Sequence, residues 1–321
     1  MNYLRQSMVF ALTALCASLV FGQGYPSKPV RIVVPFTAGS ATDILARTFG
    51  QKLSEIWGQP VIVENHPGAG GTIGAAIVAK SAPDGYTLLV HSAAQAYNPS
   101  IYPNLPYDTA KDFVEIVPLA GQPNVLVVAP ATGFKTAGDL VAAAQKKPGE
   151  LNFASAGTVS GTHINGEKFR LAAGIDVVHI PYKGTPEAIT DTMTGRVTYF
   201  FSPISAALPN VREGKLVALG VSTAKRSSAL PNVPTLAESG LPGFDYNLWV
   251  GMFAPAGTPS DIVDKINRDV GRVLQTPEAL ARLAALGSEA MPMTPAEFRK
   301  FVRDEIDDAA KVIKAAGIKV Q

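Results

Sequence analysis

Short apolar runs alternate with longer amphipathic stretches along this chain. The runs Val30–Phe36, Pro60–Glu64, Tyr86–His91, Asn124–Ala129, Leu151–Ala154, Val177–Pro181, Val197–Phe201, Leu216–Ser222 and Asn247–Phe253 are rich in Val, Ile and aromatic residues. Several are apolar at successive positions, the pattern of strands covered on both faces in a parallel sheet. Between them Asp43–Trp57, Thr136–Gln145 and His163–Ala173 have helical length. This alternation predicts an α/β fold with crossover helices. Near the C-terminus, Thr258-Pro259-Ser260-Asp261 and Thr294-Pro295-Ala296-Glu297 each place Thr at a helix cap, Pro at the first helical position and an acid where free backbone donors wait. Apolar stripes follow: Ile262, Ile266, Val270 and Val273 in one, Phe298, Phe301, Ile306 and Val312 in the other.

Near the N-terminus, Arg5 is the only charge before a run from Met8 to Phe21 that carries none. That run is about 14 residues, against the roughly 20 needed to cross a bilayer. Gly22 and Gly24 supply small side chains for a signal peptidase, so residues 1–24 are expected to form a secretory leader and the mature chain to be periplasmic. A membrane anchor is the alternative. Cys16, the single cysteine, follows bulky Leu15 inside this run, which disfavours acylation, and the mature chain needs no disulfide. No later segment is apolar for long enough to span a membrane, so the mature chain is expected not to be embedded in one. With 47% hydrophobic and 17% charged residues, the 321-residue chain can bury a sizeable core. A net charge of +2 offers no basic stripe for phosphates, which argues against nucleic acid as a partner.

Catalytic and metal signals are weak. His66, His91, His163 and His179 show no metal-ligand spacing. The run Gly68-Ala69-Gly70-Gly71-Thr72-Ile73-Gly74 places its glycines wrongly for a dinucleotide loop and lacks the lysine of a phosphate loop; it reads as a tight strand-to-helix turn. Ser160 is not in a nucleophile elbow, and no orienting acid accompanies Ser160 and His163, so a secreted hydrolase is only a distant rival. No enzyme activity, cofactor or metal is expected.

Two other segments share one design. Residues 33–43 and 153–163 each run from a strand through small and hydroxyl residues into a helix. Small residues let the backbone approach a ligand, and free N–H groups of a first helical turn, with Ser and Thr hydroxyls, present donors to an anion. Either loop alone could be an ordinary capped helix start. Two, each beyond the carboxyl end of a buried strand, could face one cleft.

The chain resembles the periplasmic substrate-binding proteins of tripartite tricarboxylate transporters, the Bug family. The likeness rests on Tyr25-Pro26-Ser27-Lys28-Pro29, Val33, Pro35 and Phe36 with Gly39 and Thr42-Asp43, Val63-Glu64-Asn65-His66-Pro67-Gly68-Ala69-Gly70-Gly71, Pro83-Asp84-Gly85-Tyr86-Thr87-Leu88 and Leu105-Pro106-Tyr107-Asp108. It continues through Pro181-Tyr182-Lys183-Gly184, Leu230-Pro231-Asn232-Val233-Pro234-Thr235 and Ala254-Pro255-Ala256-Gly257-Thr258-Pro259. The resemblance implies a two-lobed, flytrap-like periplasmic-binding-protein fold with mixed, mostly parallel sheets flanked by helices. Lobe one would join residues 25–122 to 247–321, and lobe two would be 123–246. It implies a monomer that captures a small organic carboxylate and delivers it to membrane permease subunits. A sensor presenting its loaded form to a receptor is the rival. The implied ligand contacts are Thr37, Ala38, Ser40, Ala41, Thr42 and Asp43 in the first loop. In the second they are Ser155, Gly157, Thr158, Ser160, Gly161, Thr162 and His163. The turns His91-Ser92-Ala93 and Ser202-Pro203 would complete the pocket.

Departures from the family's pattern narrow the ligand. Thr37-Ala38-Gly39-Ser40 adds two hydroxyls where a Pro-Ala-Gly-Gly loop is common, and Ser202 replaces an acid carried by many members. Without that acid a ligand amine is disfavoured. The stretch Tyr199-Phe200-Phe201 suggests an aromatic mono- or dicarboxylate such as a phthalate isomer, although core aromatics would look the same. An aliphatic di- or tricarboxylate is the alternative.

Overall fold

The computed structural model describes residues 24–317. The expected leader lies outside the described residues, apart from Gly24. The strands are β1 (Val30–Val34), β2 (Val61–Asn65), β3 (Thr87–Ser92), β4 (Phe113–Val128), β5 (Asn152–Ser155), β6 (Val178–Pro181), β7 (Tyr199–Pro203), β8 (Val217–Val221) and β9 (Asn247–Pro255). The helices are α1 (Ala41–Trp57), α2 (Thr72–Ala79), α3 (Ala94–Tyr97), α4 (Ala137–Lys146), α5 (Gly161–Ala173), α6 (Thr185–Met193), α7 (Ile204–Arg212), α8 (Ser260–Leu274), α9 (Pro277–Ala285) and α10 (Pro295–Ala316).

The strands run in the order β2-β1-β3-β9-β4-β7-β5-β6, with β8 also on β4. Parallel pairing is confined to β1 with β2 and β3, and to β5 with β6 and β7. Around β4 and β9 every pairing is antiparallel. The long β4 divides this array. Its residues up to Pro123 pair with β9, and from Asn124 onward they pair with β7 and β8.

Side chains alternate across the first half. Val30, Ile32 and Val34 face Leu45, Phe49 and Leu53 of α1 and Ile266 and Val270 of α8, whereas Val33 belongs with Ala75 and Val78 of α2 and Phe298 and Val302 of α10. Both faces are covered, which is why these runs are apolar throughout. Burying each large side chain stabilises the fold by roughly 2 kcal/mol relative to leaving it exposed. In the second half, Val125, Val127 and Phe200 meet Ala188 and Ile189 of α6 and Ile204 and Ala207 of α7.

The crossing between halves is tied by polar groups. Ser222 Oγ accepts from the Asn124 N–H at 2.9 Å and donates to Tyr246 O at 2.6 Å. The buried Gln122 amide donates to Ser205 Oγ at 3.2 Å and Ser288 Oγ at 2.8 Å, reaching both halves.

The structure differs from the sequence pattern in places. β4 begins at Phe113, well before the expected Asn124, because Pro118, Pro123 and Glu115 disguise it. Pro118 lies beside a register shift and Pro123 where β4 changes partners, positions that tolerate a missing donor. Thr294 and Glu297 form the expected reciprocal cap. Thr258 does not cap: its hydroxyl donates to Pro255 O at 2.7 Å, and α8 starts after Pro259. The short α9, capped by Thr276, is an element that the pattern did not reveal.

Candidate ligand-binding site

Four helices start around one small cavity between the halves. Ser40, Ala41 and Thr42 come from the start of α1, Ser160, Gly161 and Thr162 from the start of α5, Thr185 from α6 and Pro203 from the residue before α7. Phe36, Ser92, Ala156 and Leu248 complete the wall. None of these residues is charged.

The two main helix starts are built alike. Ser40 Oγ accepts from the Asp43 N–H, and Ser160 Oγ from the His163 N–H, each at 3.3 Å. The Ile44 and Ile164 N–H groups bond the carbonyls of Ser40 and Ser160. The N–H groups of Ala41, Thr42, Gly161 and Thr162 therefore have no backbone or capping partner among the described residues. Neither α6 nor α7 has a side-chain cap. Each helix start carries about half a positive charge from its aligned peptide dipoles. Their convergence in a buried, cation-free cavity favours an anion able to accept several hydrogen bonds.

The hydroxyls around the second loop are already ordered. Ser160 Oγ donates to Gly157 O at 2.7 Å and lies 2.9 Å from Thr162 Oγ1, which accepts from the Ala156 N–H at 2.9 Å. The hydroxyl proton of Ser160 is thus committed to Gly157 O, so Thr162 Oγ1 donates to Ser160 Oγ; both hydroxyl protons stay within the loop and the free donors are the backbone N–H groups. Gly161 has no room for a side chain, because a methyl would collide with Leu248 Cδ1 and come 2.9 Å from Tyr246 Oη.

A layer behind the cavity fixes these loops. Asp43 accepts from the Gly39 N–H (2.9 Å), Arg47 Nε (3.0 Å) and Asn65 Nδ2 (2.9 Å). Burial alone would push this carboxyl up; the bonds from Arg47, Gly39 and Asn65 outweigh it and hold it below the usual carboxylate range. His163 Nδ1 accepts from the Val159 N–H at 3.0 Å. Val159 has φ +72°, a strained setting for a β-branched residue, so this bond holds the loop in its turn. The His163 ring stacks on His179 at 3.8 Å, and His179 Nε2 lies 2.6 Å from Ser155 Oγ. Burial, helped by His179 and Arg170, pushes His163 down to about 3; burial pushes His179 to about 4 and His91 to about 3. All three imidazoles stay neutral at pH 7.

Of the expected contacts, the structure brings Ser40, Ala41, Thr42, Ser92, Ser160, Gly161, Thr162 and Pro203 to this cavity. Gly157 and Thr158 line an adjoining one. Asp43, Ser155 and His163 stand behind the loops, as described. His91 is buried edge-on against Phe36, Ala93 donates its N–H to Trp249 O at 3.1 Å, and Ser202 Oγ donates to Pro203 O at 3.2 Å. Ala38 is exposed. Thr37 Oγ1 reaches across to Glu187 Oε2 of α6 at 3.2 Å. Phe36, Ala156, Thr185 and Leu248 were missed. The first two adjoin the loops in sequence, and Thr185-Pro186 repeats the Thr-Pro pair of the C-terminal helix starts, with its acid, Glu187, one residue earlier. Leu248 could be placed only by the return of β9. Tyr199, Phe200 and Phe201 are fully buried core and do not line the cavity, which removes the sequence ground for an aromatic ligand.

Two α/β halves joined by strands that cross between them, with a cavity beyond the ends of β1 and β5, define a two-lobed periplasmic binding protein. Residues 45–318 match the tripartite tricarboxylate transporter family receptor, and the chain belongs to that family. Protein BugT of Bordetella pertussis is 37% identical over 315 residues, covering 98% of this chain and 97% of that protein. The solved structure of R. palustris Rpa4515 with adipate is 35% identical with a TM-score of 0.90, covering 92% of this chain and 99% of that one. MatC from Rhodopseudomonas palustris with bound malate is 33% identical with a TM-score of 0.86, covering 90% and 100%. No helix among the described residues is long and apolar enough to cross a membrane.

Proposed function

We propose that this protein is an extracytoplasmic receptor that holds a small organic carboxylate between its lobes, without chemical turnover, and delivers it to the membrane subunits of a transporter. The observation that carries this reading is the convergence of four helix starts on a buried cavity with no charged lining residue. Adipate and malate, present in two related structures, are small acids of this kind. Direct contacts fall to Ala41, Thr42, Gly161 and Thr162 through backbone donors, and to Thr42 and Ser92 through hydroxyls. Asp43, Ser155 and His163 act as supports. Lobe one is residues 25–122 with 247–321 and lobe two is 123–246, closing as a monomer about the crossing near Gln122–Asn124 and Tyr246–Leu248.

Isothermal titration of the mature protein against mono-, di- and tricarboxylates, with aspartate and glutamate included, tests the reading. A non-amino acid should bind, and Thr42→Ala should weaken it about fivefold, the loss of roughly one hydrogen bond. No binding by any acid, or tight binding of the amino acids alone, refutes it. Turnover of ester substrates would refute the assignment as a binding protein.

A further inference from the structure

The cavity at the helix starts measures about 20 Å³. That is room for little more than a water-sized group, so a carboxylate held there must send the rest of its molecule elsewhere. Phe36 and Ala156 also line a second cavity, of about 190 Å³. Its walls come from both halves: Gly70 and Tyr102 on one side, Thr158, Tyr182 and Lys183 on the other. Its size is below the roughly 300–1,000 Å³ of drug-sized sites and suits a short carbon chain or a single ring.

The chemistry of this second space is uneven. Tyr182 Oη donates to Asp191 Oδ2 at 2.8 Å, which commits its hydroxyl and leaves the ring as wall. At Gly70 a methyl would come 2.6 Å from Thr158 O and 3.2 Å from Tyr102 Oη, so the halves meet there through bare backbone. Lys183 is the only charged residue that lines either cavity. It is exposed at the rim and takes part in none of the ion pairs found among the described residues. An ammonium on the second cavity, which shares the walls Phe36 and Ala156 with the anion-binding one, offers a second anionic subsite.

Resting on the reading that one carboxylate sits at the helix starts, we propose that Lys183 receives the far carboxylate of a ligand carrying two. It thereby sets a preference for a diacid over the monoacid of the same skeleton. The test titrates adipate against hexanoate, and terephthalate against benzoate, on the mature wild type, Lys183→Gln and Lys183→Arg. Within at least one pair the diacid should bind the wild type more tightly. Lys183→Gln should weaken that diacid about three- to tenfold, less as salt is added, and leave the monoacid unchanged. Lys183→Arg should keep the preference. Equal weakening of diacid and monoacid, no weakening of either, or monoacids binding the wild type as tightly as diacids overturns the Lys183 subsite and leaves the helix-start reading standing. Failure of every acid to bind the wild type overturns both.

Discussion

Gly184 provides a direct test of closure, because Thr37, the residue that a side chain there would overlap, comes from the other half. Its φ of −172° is extended backbone that any residue can adopt, so Gly184→Ala adds no backbone strain. The new methyl would overlap Thr37 Oγ1 and stand 3.0 Å from Thr37 Cβ and 3.1 Å from Glu187 Oε2. Thr37 follows β1 in the first half, whereas Gly184 and Glu187 flank the start of α6 in the second. The collision with Thr37 therefore exists only when the lobes are closed, whereas the contact with Glu187 lies within one half. Turning Thr37 aside breaks its 3.2 Å bond to Glu187, an exposed contact contributing at most about 1 kcal/mol. Residual crowding brings the cost to the closed state to about 1–3 kcal/mol. At 1.4 kcal/mol per factor of ten, ligand affinity should fall about 5- to 150-fold. Unfolding of the unliganded protein by urea should change by less than about 0.5 kcal/mol, since in an open lobe pair the methyl meets only the flexible end of Glu187. Thr37→Ala alone should cost less than about fivefold in affinity. Combined with Gly184→Ala it should restore most of the lost binding, a coupling that a double-mutant cycle reads directly. Titration calorimetry gives the affinities, and small-angle scattering with and without ligand gives the degree of closure. Unchanged affinity in Gly184→Ala, a stability loss as large as the binding loss, or no rescue by Thr37→Ala would refute closure through this contact.

Acid sensitivity should follow the buried imidazoles. His91 and His163 are pushed down to about 3 and His179 to about 4, against 6.5 in the unfolded chain. The unfolded chain then binds more protons below pH 6.5, so stability is full above that pH and falls on acidification toward 4. Each imidazole contributes a slope of up to about 1.4 kcal/mol per pH unit. Urea unfolding at pH 7, 6 and 5 measures it, and a flat profile contradicts the burial argument. His163→Ala should destabilise the protein by about 2–3 kcal/mol, because the Val159 N–H loses its acceptor in a strained turn and a buried ring is lost. His163→Gln, which keeps a side-chain acceptor, should recover part of that in the same measurement.

The amino-acid pattern determined much by local rules. Unbroken apolar runs marked strands covered on both faces, and Val30–Val34 with Ile32 and Val33 pointing opposite ways shows why the period-2 signal vanished there. Ser40 and Ser160 announced two helix starts of matching design, since an Ncap oxygen and its N–H partner lie within one turn and need nothing distant. The rest depended on contacts between residues remote in sequence. That β4 runs through both halves could not be seen past Pro118 and Pro123, whose fitness as strand residues depends on what lies opposite. Which residues of a loop face the cavity was also a tertiary matter. Asp43 and His163 sit inside the right segments, yet Arg47, Asn65 and the strained Val159 turn them into supports. Thr185 and Leu248 reach the cavity only because α6 and β9 are brought to it by the packing of the two sheets. Sequence spells out hydrogen bonds that close within a turn; the facing of two helix starts across a cleft is decided by where the strands beneath them are paired.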